Sequence, residues 1–85
     1  MNQVVYRIES MYDGNGNKVE NERRMARRYF LGRVEVGSSA QLVNVDDTDE
    51  VVTTSPVKEV YIFRNMIRIS TENTSYWLTP FVEEV

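Results

Sequence analysis

The residues best equipped for chemistry in this chain are its arginines. Arg23, Arg24, Arg27, Arg28 and Arg33 crowd one short segment, and arginine outnumbers lysine eight to two. A planar guanidinium fits phosphate and carboxylate groups bidentately, so a cluster of them suits anion recognition. Tyr29 and Phe30 follow directly, and this interleaving of basic and aromatic residues is the pattern of single-strand nucleic-acid binders. Against that, 10 basic residues face 13 acidic ones, a net charge of -3. Nucleic-acid domains carry a basic excess. The plain alternative is a solvated positive segment offset by Glu20, Glu22 and Glu35, with Phe30 in the core.

A second group is aromatic. Trp77 stands between Tyr76 and Leu78, so in a strand it points to the face opposite them. If Tyr76 and Leu78 are core, Trp77 lies outside, with Tyr61, Phe63 and Met66 as candidate neighbours. An exposed aromatic cluster of this kind is a recognition surface. Alternatively that second face is covered by loops or by another subunit, which would make the protein a homo-oligomer.

Other patterns fail on inspection. Asp13, Asn15 and Asn17 occupy the first three ligand positions of a calcium loop. Lys18 then stands where glycine is needed, and Arg24 where a bidentate glutamate belongs. Asn73-Thr74-Ser75 matches a glycosylation sequon but reads as a turn. Gly32 and Gly37 lack phosphate-loop spacing, and Gly32 reads as a strand bend. The chain has no Cys and no His. Disulfides, Cys/His zinc sites and His-based triads are therefore excluded. A hydrolase built on carboxylates alone would need two of them across a cleft. Here they gather in turns (Asp46, Asp47, Asp49, Glu50) or near the end (Glu83, Glu84). No enzyme and no cofactor is expected.

These side chains must be positioned by strands. Val, Ile and Thr are abundant while Ala and Leu are scarce, which favours a pleated surface over helices. Period-two alternation recurs at Val4–Glu9, Phe30–Val36, Met66–Thr71 and Tyr76–Thr79. Turn residues separate the runs: Asp13–Asn17, Gly37–Ser39, Asp46–Asp49, Arg64–Asn65 and Glu72–Thr74. Ser55-Pro56 is expected to interrupt one strand and Pro80 to end another. The expected core is Tyr6, Ile8, Phe30, Val34, Val36, Leu42, Val60, Ile62, Ile67, Ile69 and Leu78. Met25 and Tyr29 lie four apart, as do Glu20 and Arg24, so the stretch between Val19 and Arg28 holds either one or two helical turns or a loop. Eighty-five residues make one domain, 1–85. The expectation is a mainly β fold, a small antiparallel SH3-like (or OB-like) barrel of six or seven short strands with at most one short helical turn.

From Glu35 to Leu78 three stretches stand out: Glu35-Val36-Gly37, Thr54-Ser55-Pro56-Val57, and Thr71-Glu72-Asn73-Thr74-Ser75-Tyr76-Trp77-Leu78. In these the chain resembles small bacterial or phage proteins that share a Thr-Ser-Pro-Val turn and a Thr-x-Asn-Thr/Ser-x-Tyr-x-Leu hairpin. The resemblance implies a small β fold. It implies no activity and transfers no functional residues.

The expected function is a binding or regulatory module that meets a protein partner. The candidate surface comprises Arg23, Arg24, Arg27, Arg28, Tyr29 and Arg33, with Tyr61, Phe63 and Trp77. Nucleic-acid binding through Arg23–Arg33 is the alternative. No run approaches the roughly 20 apolar residues of a spanning helix, so no membrane role is expected. The opening residues lack a basic stretch followed by an apolar one, so a cytoplasmic location is expected. Reversing the charge of Arg27 and Arg28 is expected to remove binding without disturbing the fold.

Overall fold

The computed structural model describes residues 2–84. Seven strands follow one another with a single helical turn between the second and third. They are β1 (Asn2–Asp13), β2 (Lys18–Val19), α1 (Glu22–Met25), β3 (Tyr29–Leu31), β4 (Ser39–Asn44), β5 (Val51–Phe63), β6 (Met66–Thr71) and β7 (Thr74–Glu84). All pairings are antiparallel, in the order β2-β1-β3-β4-β5-β6-β7, and β1 also pairs with β7. That last pairing closes the sheet into a small barrel, as the alternation and short connections required. The β1–β7 seam joins the two ends of the chain, from Asn2 opposite Glu84 to Asp13 opposite Thr74.

The core is built from the inward residues of every long strand. Ile8, Met11, Tyr29, Ala40, Leu42, Val52, Val57, Ile69, Tyr76 and Leu78 form one buried cluster. A register shift between Ile8 and Ser10 inserts an extra residue, so Ile8 and Met11 both face inward although they are three apart. The turns behave as their residues dictate. Arg64 takes φ 56 in the two-residue turn joining β5 to β6. Gly32 comes so close to β4 that a Cβ there would lie 3.1 Å from the Gln41 carbonyl oxygen.

Several core expectations are corrected. The third strand is short, so Tyr29 is the buried residue and Phe30 faces out beside Val43. Beyond Leu31 the chain leaves the ladder; Val34 is half-buried against the core and Val36 is 63% exposed. Tyr6 and Ile67 are likewise half-buried at its margin. Val60 and Ile62 do lie on the inner face, opposite Ile69 and Ile67, yet they are 38% and 70% exposed. β4 pairs with β5 only as far as Pro56, so among the described residues no strand flanks the second half of β5 on that side.

Neither proline breaks its strand. Pro56 sits inside β5 opposite Ser39, next to a register shift, and its carbonyl accepts from the Glu72 N–H at 3.1 Å. Pro80 lies inside β7 opposite Tyr6, beyond Leu78, the last β7 residue that β6 pairs. A missing N–H costs no ladder bond where no neighbouring strand is present.

The stretch from Val19 to Arg28 resolves into one helical turn. Asn21 caps it, its side chain accepting from the Arg24 N–H at 3.1 Å, and Glu22 occupies the first turn where the dipole favours an acid. One turn cannot stand alone in water. Met25 packs on the core, and the buried Tyr29 hydroxyl donates to the Arg24 carbonyl at 2.9 Å, which together hold the turn in place.

Candidate functional site

The arginine segment is folded against acids from elsewhere in the chain. Helical turn α1 points Arg23 toward Glu50 at 3.4 Å, and Arg27 pairs with the same carboxylate. Arg28 is held by Asp46 at 2.6 Å and by Glu83. Arg33 is chelated by Glu35 through Nε at 2.7 Å and through Nη2. Arg24 has no carboxylate partner among the described residues and gives its carbonyl to Tyr29. The offsetting acids are therefore mostly not Glu20 and Glu22 but Asp46, Glu50 and Glu83, with Glu35 the one expected partner found.

The acidic turn exists to present those acids. Asn44 is buried, and its side chain accepts from the Asp46 N–H at 3.0 Å, while Glu50 N–H donates to Asp47 and Glu50 C=O accepts from Asn44. Two of its four carboxylates, Asp46 and Glu50, are thereby aimed at Arg28, Arg23 and Arg27. Hydrogen bonds from Arg28 to Glu83 and Asp46 raise its already high pKa, so its charge is permanent. Burial raises the pKa of Tyr29, which stays neutral in the core. Tyr29 is thus a structural residue at this site and offers no surface for stacking. Between α1 and the start of β5 lies an open polar depression of about 460 Å³, lined by Asn21, Arg23, Arg24, Arg27 and Glu50.

The aromatic candidates converge on strands β5, β6 and β7. The two-residue turn at Arg64–Asn65 sets Tyr61 opposite Arg68, and β6 sets Arg68 opposite Trp77. Facing residues of paired strands share a face, so the three make a ladder across β5, β6 and β7 on the outside of the barrel. The Arg68 guanidinium lies 5.3 Å from the Tyr61 ring and 5.5 Å from the Trp77 ring. Phe63 extends the ladder, stacked on Tyr61 with centroids 6.3 Å apart, and Arg64 covers it at 5.4 Å. Arg7 sits 5.7 Å over Phe81 on the same face. Tyr61 is 45% exposed and Phe63 49%.

Arg68 is the pivot of this surface. One terminal nitrogen donates to Glu59 at 3.0 Å, but its Nε is buried without a hydrogen-bond partner. The flanking rings take up the charge in place of water, since a guanidinium stacks on aromatic faces. Arg7 and Arg64 have no ion pair among the described residues, so the outer face keeps two unpaired cations against one, Arg24, in the arginine segment.

Arg68, Arg7, Arg64 and Phe81 were not among the candidates read from sequence. For Arg68 the signal was present: a two-residue turn at Arg64–Asn65 already implies that Tyr61 faces position 68. Phe81 was hidden by the expectation that Pro80 ended its strand. The Asp13 carboxylate does not hold a cation cage; it accepts from the N–H groups of Asn15 and Asn17 at 2.9 Å, and these bonds lower its pKa. Among the described residues no three acidic side chains come together as metal ligands, and no helix is long and apolar enough to cross a membrane. No family model, curated protein or solved structure matches this chain.

Proposed function

We propose that this protein is a non-catalytic binding module that meets a protein partner through the outer ladder of Tyr61, Phe63, Arg68 and Trp77. The observation that carries this reading is the ladder itself. Three aromatic side chains and an arginine share one outer sheet face, Tyr61 and Phe63 exposed and Trp77 and Arg68 half-buried, held together by stacking and cation–π contacts. Aromatic residues and arginine are enriched among the residues that dominate protein interfaces, the rings because they bring wide contact area on only two rotatable bonds and arginine because its planar fork stacks and pairs with carboxylates. Arg7 and Arg64 flank the ladder without ion pairs, so a partner with apolar side chains beside acidic groups complements it. The internal pairing of Arg23, Arg27, Arg28 and Arg33 supports a structural role for that segment. The net charge of -3 weighs further against a polyanion.

The test compares two surfaces with two ligand classes. Partners captured by the wild type should be lost on Tyr61→Ser with Trp77→Ser and retained on Arg24→Ala. Labelled single- and double-stranded oligonucleotides should show no anisotropy change at low salt. Oligonucleotide binding tighter than about 1 μM, with a steep salt dependence removed by Arg24→Ala, would instead assign the arginine segment to nucleic acid.

A further inference from the structure

Strand β5 has two different halves. Up to Pro56 it pairs with β4, and Val57 still exchanges hydrogen bonds with Gly37 and Ser38 on that side. From Lys58 to Phe63 it pairs with β6 alone. Among the described residues no backbone hydrogen bond takes the other edge of this half. All six of its residues are exposed. Both faces are apolar, with Tyr61 and Phe63 outside and Val60 and Ile62 inside. Sheet edges are normally blunted by proline, bulges or inward charges, or covered by a loop. Beyond Glu59 this edge has none of these.

We propose that the edge is occupied by a second copy of this chain, the two β5 strands pairing antiparallel about a twofold axis through Ile62. Two identical edges joined this way need an axis normal to the sheet, so inner face meets inner face and one residue must face itself. Centring on Tyr61 sets Glu59 opposite Phe63, a charge against an apolar group. Centring on Val60 sets Lys58 opposite Ile62 and Glu59 opposite Tyr61, charges against apolar groups. Centring on Ile62 avoids both. Tyr61 then faces the second copy's Phe63 twice over, and Glu59 faces Asn65. Aromatic pairs in that position are among the stabilising cross-strand contacts.

The size of the contact sets its strength. Tyr61, Ile62 and Phe63 each leave on the order of 100 Å² exposed, so with Val60 the apolar area is roughly 400 Å² per copy. A standard interface uses about 800 Å² per partner. Backbone hydrogen bonds must supply the remainder, and the dimer is weak and concentration-dependent. The inference rests on the strand edge and not on what the outer ladder binds. If both hold, pairing joins two ladders into one continuous surface.

The absence of cysteine makes the test direct, because Ile62→Cys carries the only thiol. Self-facing residues on paired strands have Cβ atoms about 5 Å apart, close to disulfide range. Oxidation of Ile62→Cys at about 100 μM should give a reducible covalent dimer at least about tenfold faster than Val82→Cys, which is equally exposed on the inner face of β7 but away from this edge. Sedimentation of the wild type from about 10 μM to 1 mM should show the mass rising from 9.9 kDa toward twice that value. Ile62→Lys, with unchanged circular dichroism, should stay at the monomer mass. A wild type that is monomeric throughout, or equal cross-linking of the two cysteine variants, overturns the proposal. So does a dimer that Ile62→Lys leaves intact.

Discussion

Ile69 and Ile62 are isoleucines on the same inner face of neighbouring strands, yet one is 1% exposed and the other 70%. Their environments give opposite expectations. Ile69→Ala removes packed methylenes and leaves a cavity, at a cost of about 2–5 kcal/mol, whereas Ile62→Ala should cost under about 1 kcal/mol in the monomer. Chemical denaturation of both variants at low concentration checks this. The arginines obey the same logic of surroundings. Reversing Arg27 and Arg28 to glutamate would set two new carboxylates against Glu50, Asp46 and Glu83. The sequence suggested that this reversal leaves the fold intact; the pairings with Glu50, Asp46 and Glu83 predict a loss of stability instead. Exposed and half-exposed pairs are weak individually, so the double variant should show a modestly lowered thermal midpoint with the same circular dichroism when folded. Its thermal midpoint should recover in part at high salt, because screening weakens the new repulsion.

At the scale of elements, the loop between β1 and β2 and the anchoring of α1 respond to pH in opposite directions. Asp13 has a folded pKa below its unfolded value because backbone N–H groups of Asn17 and Asn15 bond its ionised form. Its contribution is full above the unfolded carboxylate range and is lost as pH falls through the lowered folded value. Acid titration by amide chemical shifts should therefore show Asn15 and Asn17 moving at lower pH in the folded protein than in the urea-unfolded chain. Tyr29 has a folded pKa above its unfolded value, chiefly because burial disfavours the phenolate. Its contribution is full below about pH 10 and is lost as pH rises from there through the raised folded value. Alkaline unfolding followed by Trp77 fluorescence should shift to higher pH in Tyr29→Phe, which cannot ionise. An unchanged midpoint would assign the alkaline transition to another group.

The whole molecule is closed by its ends. β1 and β7 run side by side for most of their length, and the long axis of the molecule is 39 Å, close to the roughly 36 Å of an 11-residue strand. Barrel closure must wait for residues about 60 to 80 positions apart to meet, from Asp13 with Thr74 to Asn2 with Glu84. Such topologies fold in about milliseconds to seconds. Stopped-flow refolding followed through Trp77, the sole tryptophan, should give a main phase in that range; completion within microseconds would contradict a seam-limited mechanism.

Composition and local pattern alone determined the class of fold, the turns and the chemistries that are absent. β-branched alternation writes strands, Arg64–Asn65 and Glu72–Asn73 write tight turns, and a chain without Cys or His has no thiol or imidazole to use. The opposite facing of Trp77 and its neighbours was legible too, because side-chain alternation belongs to a single strand. Three matters were decided only in three dimensions. Burial of Tyr29 in place of Phe30 depended on where the short β3 meets β1. The exposure of Val60 and Ile62 depended on how far β4 reaches along β5. The neutralising of the arginines depended on carboxylates 23 and 55 residues away, Glu50 for Arg27 and Glu83 for Arg28. Alternation says which way a side chain points. What lies opposite it, whether water, a strand or a charge, is set by distant segments that no local period encodes.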